Sequence, residues 1–254
     1  MNLRRFIVEF VEEFIRDKLQ DLGLKLRTKP LVGFASTNNY LFKTIKNIHP
    51  WIAYPKELLP QAKTVIVIAV PITKEAIDDN ARSPGVSKLW ARVYVILNKI
   101  LEGLGKELTN KLRFRGFRSI AINPSHEFDH ELLRSKWSHR HAAFVAGLGT
   151  FGLHKLIIAE IGAAVRLSTI ITEIYIEPNS LPGKELCLAK REEKCSTCIE
   201  RCKVSALTNW DAYGETCMLD LLQKNAEYLM RTFGIYADIC GKCVTNVPCS
   251  FQAP

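Results

Sequence analysis

"KCSTCIERCKVSAL" (residues 194–207) packs three cysteines into eight positions, from Cys195 to Cys202. The chain holds eight cysteines, and all follow residue 186: Cys187, Cys195, Cys198, Cys202, Cys217, Cys240, Cys243 and Cys249. Two C-x₂-C pairs, 195/198 and 240/243, recur within this tail. Eight is twice four, and four thiolates around a cube of iron and sulfide is the usual [4Fe–4S] ligation. Two Cys₄ zinc sites are the alternative, since C-x₂-C pairs serve zinc equally well. The extra thiol at Cys202, three residues beyond its pair, favours clusters.

When two clusters share one cassette, the last cysteine of each run ligates the other cluster. Applied here, Cys187, Cys195, Cys198 and Cys249 hold one cluster. Cys202, Cys217, Cys240 and Cys243 hold the other, and no cysteine is left over. The spacing departs from the usual C-x₂-C-x₂-C-x₃-C-P run. Glu192 stands where the first cysteine belongs, Lys203 replaces the closing proline, and Pro248 precedes Cys249. Cys187 therefore has to reach in from a longer loop.

The rest of the chain bounds the class. Its 254 residues are 47% hydrophobic and 24% charged, a globular composition. No run of 18 apolar residues occurs, so no membrane span is expected. The N-terminal "MNLRRFIVEFVEEF" (1–14) carries Glu9, Glu12 and Glu13 within its apolar stretch, unlike a signal peptide, which predicts a cytoplasmic protein. Eight cysteines in a reducing compartment point to metal ligation over disulfides. The net charge of +9 suits either a solvated lysine-rich surface or attraction to an acidic partner.

Apolar residues at helical spacing predict a helix over 3–22, with Gly23 as its stop. "PLVGFAS" (30–36) reads as a strand. "TVIVIAVPI" (64–72) reads as a strand buried on both faces. Residues 89–108 read as helix, and 115–123 as a turn into a strand. Residues 165–176 read as a further strand. Two prolines and a glycine in "EPNSLPGKE" (177–185) place a domain boundary near residue 180. The expected architecture is an α/β (α+β) domain over 1–180 and a cluster domain over 181–254.

Between these elements lies "SHRHAAFVAGLGTFGL" (138–153). Gly147, Gly149 and Gly152 allow backbone to approach a bulky cofactor closely, or form an ordinary helix-to-loop turn. Arg140 suits a carboxylate, phosphate or amide group. His139 and His141 can donate protons near a redox site, and would diverge on a helix but align on a strand. Arg166 is a cofactor contact or a snorkelling strand residue.

"ELLPQAKTVIVIAVPI" (57–72), "HRHAAFVAGLGTFGL" (139–153), "GAAVRLSTIITEIYIEP" (162–178) and the cysteine cassette occur in that order. Together they resemble the epoxyqueuosine reductase family and its relatives, the respiratory reductive dehalogenases. The resemblance covers most of residues 55–250. It implies a nitroreductase-like domain that binds cobalamin, fused to a two-cluster ferredoxin-like domain, with electrons passing through the clusters to cobalt. FMN in the same cleft is the alternative cofactor. Beside it, the residues themselves offer Arg140, Gly147, Gly149, Gly152 and Arg166 as cofactor candidates, and His139, His141 and Glu131 as candidate catalytic groups. The family's acid in an Asp-Ser-Ala-Pro stretch has no match; counting back from Ala146 reaches Leu133, with Glu131 and Asp129 nearby. The family's glycine-lysine pair is Gly152-Leu153 here. The helical-repeat domain of the tRNA-acting members is not found after Cys249, so a small molecule or a corrinoid protein is the expected substrate and nucleic acid is not expected as a partner. A ferredoxin or flavodoxin is the expected electron donor. A non-catalytic electron carrier or corrinoid-reactivating partner is the reading from a different class.

Overall fold

A computed structural model describes residues 2–124, 128–129, 131–208 and 216–254. By its contacts the chain divides into two compact units. The first comprises Met1–Val70, Asn98–Gly149 and Arg166–Gly183; the second comprises Pro71–Leu97, Thr150–Val165 and Lys184–Pro254. Two segments ahead of residue 180 thus pack with the cysteine cassette.

In the first unit the apolar spacing near the N-terminus gives α1 (Leu3–Gln20). Asn2 caps it by accepting the Arg5 N–H, which satisfies one of the helix's orphan donors. Its stripe of Ile7, Val11, Ile15 and Leu19 is buried to 1% exposure or less. Gly23 follows with φ +65°, a left-handed conformation that ends helices.

The sheet uses β1 (Leu31–Ser36), β2 (Thr64–Pro71), β3 (Ser119–Ile122) and a last strand, Val165–Thr172, in the order β1, β2, last strand, β3. β1 runs antiparallel to β2, with Phe34 opposite Ile66. β3 runs antiparallel to the last strand, with Ile120 opposite Ile171. Every residue of β2 is buried, as its unbroken β-branched run predicts for a strand covered on both faces. A long helix, Lys88–Arg113, supplies Leu101, Leu104, Leu108 and Leu112 to the core at 1% exposure or less. It runs five residues past the expected end because "TNKLR" continues the helical stripe to Leu112.

A short helix, His139–Val145, carries both candidate histidines, so their side chains diverge. In the second unit, Lys74–Arg82 is a helix capped by Thr73, and Gly149–Phe151 pairs with Ile157–Ala159 as a small sheet. The cassette itself is mostly turns, with a one-turn helix at Thr197–Glu200 and a longer one at Gln223–Phe233. Among the described residues no helix is long and apolar enough to cross a membrane.

Candidate metal centres

Cys187, Cys195, Cys198 and Cys249 line one cavity in the second unit, with about 330 Å³ of empty space. Three separate stretches of chain bring them there. Cys187 is set by Glu185, whose carboxylate accepts the Cys187 N–H at 2.9 Å and the Thr150 hydroxyl. Cys198 sits on the Thr197–Glu200 turn. Cys249 is anchored where the Ala163 N–H donates to its carbonyl at 2.7 Å. Beside it Gly162, with φ +87°, lets the Ser250 carbonyl come within 2.6 Å of where a Cβ would stand.

Burial pushes the Cys198 thiol up to about 11, and the neighbouring Cys187 and Cys195 push it further the same way. Burial first, then Cys198, Cys187 and Cys195, raises Cys249 to about 12. Four thiolates crowded in a dry cavity are unstable unless a cationic core compensates them. The donor set therefore fits a metal group bound as thiolates.

His154 also lines this cavity, at 1% exposure. Its Nδ1 accepts the Leu156 N–H at 3.1 Å, so the proton resides on Nε2. Nε2 lies 3.6 Å from the Cys249 sulfur. His154 thus donates an N–H···S hydrogen bond to a candidate ligand. Sequence spacing gave no sign of it, because 95 positions separate the two residues.

The remaining four cysteines form a second group. Burial raises Cys243, with Cys240, Cys217, Cys198 and Cys202 adding to the effect in that order. Burial raises Cys240 as well. The Cys240–Cys243 loop is wired to the Lys74–Arg82 helix. Asn80 Nδ2 donates to the Cys240 carbonyl at 3.0 Å, and Arg201 Nε donates to the Lys242 carbonyl at 3.1 Å. Lys242 is only 2% exposed, and its ammonium donates to the carbonyls of Asn80 and Ser83, at the C-terminal end of that helix, where a cation opposes the helix dipole.

Among the described residues, no three His, Cys, Asp or Glu side chains converge closely enough to hold a single metal ion. A zinc site would draw its sulfurs to about 2.3 Å from one point. A cube of iron and sulfide takes its thiolates at four spread corners.

The other sequence candidates lie mainly in the first unit. His139 Nε2–H donates to the Asn123 carbonyl at 3.1 Å. Trp137 Nε1–H donates to Thr169 Oγ1 at 3.2 Å, and the Thr169 hydroxyl in turn donates to His139 Nδ1 at 2.8 Å. Both ring nitrogens of His139 are engaged. His141 Nδ1 lies 2.7 Å from the Ser138 hydroxyl, and its ring centroid lies 5.4 Å from that of His49. Burial, then Arg140, then His49, lowers its pKa to about 4, so it is neutral at pH 7. Arg140 follows on the same helix, half-buried. Glu131 is exposed, in a turn where Asp129 accepts its N–H.

Gly147 has φ +71°, and a Cβ there would stand 2.1 Å from the Ser180 carbonyl. At Gly152 the filling atoms belong to the His154 ring, 2.6 Å away. The close approaches at these two glycines are made by the protein itself. Arg166 Nε donates to Asn98 Oδ1 at 2.9 Å. Gly149 is buried in its short strand, outside the positive-φ glycines.

No protein-family model matches the chain. No curated protein sequence does either. Solved structures do. An epoxyqueuosine reductase is 20% identical with a TM-score of 0.55, covering 98% of this chain and 68% of its own. The fold is that of the epoxyqueuosine reductases. A second such structure, solved with an epoxyqueuosine-modified tRNA stem loop, is 20% identical with a TM-score of 0.52, over 96% of this chain and 66% of that one. A reductive dehalogenase, described as B12-dependent, is 15% identical with a TM-score of 0.50, over 69% of this chain and 23% of that one. The expectation that nucleic acid is no partner finds no support here, since one epoxyqueuosine reductase was solved with a tRNA stem loop.

Proposed function

We propose that the protein is an iron–sulfur oxidoreductase holding two [4Fe–4S] clusters, one on Cys187, Cys195, Cys198 and Cys249 and one on Cys202, Cys217, Cys240 and Cys243. The observation that carries this is the convergence of the first four cysteines, from three distant stretches, on one cavity. Such clusters, when bound, supply single-electron steps at potentials set by hydrogen bonds, charge and exposure. The chain's residues supply the rest. Glu185 and Thr150 hold the Cys187 loop, Asn80 and Lys242 hold the Cys240 loop, and His154 donates to Cys249. We place it in the cytoplasm, which keeps thiols reduced. A ferredoxin or flavodoxin would be its donor, and the net charge of +9 suits an acidic one.

The electron acceptor we propose is a corrinoid, with FMN the alternative. The fold shared with a B12-dependent dehalogenase supports the corrinoid. Ser180 and His154 make the close approaches at Gly147 and Gly152, and Arg166 Nε donates to Asn98, which weighs against those glycines more than against Arg166. Gly149, Arg140 and Arg166 are the candidates that would hold it. His141 favours the carrier reading, since burial, Arg140 and His49 lower its pKa to about 4 and leave it no imidazolium proton to give at neutral pH.

Protein purified without oxygen should contain about eight iron and eight sulfide per chain. It should also bind cobalamin in a reducing titration. Stoichiometric zinc without iron overturns the cluster assignment. Clusters without cobalamin or FMN binding leave a carrier in place of a reductase.

A further inference from the structure

One buried donor near the second cysteine group is unused. Trp90 is 4% exposed, and its Nε1–H has no hydrogen-bond partner among the described residues. An indole N–H can only donate, and leaving it dry and unpaired is costly. The indole lies flat against Gly241. A Cβ at Gly241 would stand 2.3 Å from Cζ2, 2.4 Å from Cε2 and 2.7 Å from Nε1 of the ring. Gly241 has φ +74° and sits inside the Cys240–Cys243 loop. The bare glycine lets the nitrogen edge of the ring reach that loop.

Four carbonyls around the loop each accept from another donor. The Ile239 carbonyl accepts from Asn225 and the Cys240 carbonyl from Asn80. The Gly241 carbonyl accepts from Thr245 and the Val244 N–H, and the Lys242 carbonyl accepts from Arg201. Cys240 is the residue next to Gly241 in the chain, and Cys243 follows two residues on. We propose that Trp90 Nε1–H donates to a thiolate or sulfide of the cluster held by Cys202, Cys217, Cys240 and Cys243, and raises that cluster's potential. The inference rests on the cluster reading above. It makes Trp90 the counterpart of His154, whose N–H points at Cys249 in the first group. A hydrogen bond to sulfur stabilises the more negative, reduced cluster, which is why it raises the potential.

Two measurements test it. In an anaerobic redox titration followed by EPR, Trp90→Phe should lower one cluster's midpoint about tenfold in the one-electron equilibrium, about 59 mV, and leave the other unchanged. In wild type labelled with ¹⁵N-indole tryptophan, pulsed EPR of the reduced protein should show a ¹⁵N coupling to one cluster, absent in Trp90→Phe. If that variant loses its cluster, a coupling retained in Trp51→Phe, Trp137→Phe and Trp210→Phe still assigns it to Trp90, and its loss in one of these overturns the role of Trp90. Two intact clusters with no ¹⁵N coupling, or with unshifted potentials in a cluster-replete variant, overturn the role of Trp90 and spare the cluster assignment. Wild type without iron overturns both.

Discussion

Gly241→Ala should break the second metal group, and Gly234→Ala should not. Both glycines have positive φ, +74° and +66°. An alanine held there pays about 1–2 kcal/mol for the left-handed conformation at either site. The difference lies in the space. Nothing stands within 4 Å of a Cβ at Gly234, whereas at Gly241 three atoms of the Trp90 indole stand between 2.3 and 2.7 Å. Carbon atoms pack at about 3.5–4.0 Å, so the ring or the loop has to move by more than about 1 Å. Overpacking of that kind costs about 1–3 kcal/mol more. Gly241→Ala should thus lose about 2–5 kcal/mol against about 1–2 kcal/mol for Gly234→Ala. The loss falls on the loop that presents Cys240 and Cys243. The assay is anaerobic purification with iron counting, EPR of the reduced state, and denaturant melts. Gly241→Ala should come out near half the wild-type iron, with the signal of the Cys187 group retained. Equal iron and equal stability for the two variants would show that the indole does not constrain the loop.

Cys202→Ala should damage the cluster of Cys217, Cys240 and Cys243 and leave that of Cys195 and Cys198 in place, as read by EPR; damage confined to the Cys195–Cys198 group would refute the interlocked assignment. His154→Leu should lower the potential of the Cys249 cluster alone, because it removes the N–H aimed at that sulfur. Folded His141 takes a proton only below about 4, whereas the unfolded chain takes it below about 6.5. Stability should therefore fall as pH drops from 6.5 to 4, by up to about 3 kcal/mol, and be level in this respect above 6.5. His141→Gln should flatten that limb of the melting curve; an unchanged pH profile would place the lost protons elsewhere.

Much of the first unit was legible because its elements obey local rules. The stripe of α1, the all-buried run of β2 and the stop at Gly23 each need only a short window of sequence. The division into units was not legible in the same way. Pro71–Leu97 and Thr150–Val165 carry no compositional mark of belonging with the cassette, yet they pack there. Local pattern reports which face of an element is apolar, and says nothing of which neighbour will cover it. The glycines show the same limit. Gly147 and Gly152 were conspicuous as spots where something comes close, but the close partners are Ser180 and His154, fixed by folding at a distance along the chain.

The candidate metal groups separate these two kinds of information most clearly. The candidate ligands stand out in the sequence because thiols have few other uses in such a chain and their count divides by four. The groups that hold and tune them were not. Asn80, Trp90, His154 and Lys242 are residue types with many ordinary roles, and Asn80 lies 160 positions from the Cys240 carbonyl it holds. Each is marked only by its environment: a buried ammonium on two carbonyls, an amide and an imidazole on loop atoms, and an indole N–H with no partner among the described residues. Buried polar groups persist where something compensates them. For Lys242, Asn80 and His154 the compensating atoms are protein. For Trp90 no compensating atom is found among the described residues, and its indole rests on Gly241 of the Cys240–Cys243 loop, which is why a cluster at that loop is the acceptor we propose.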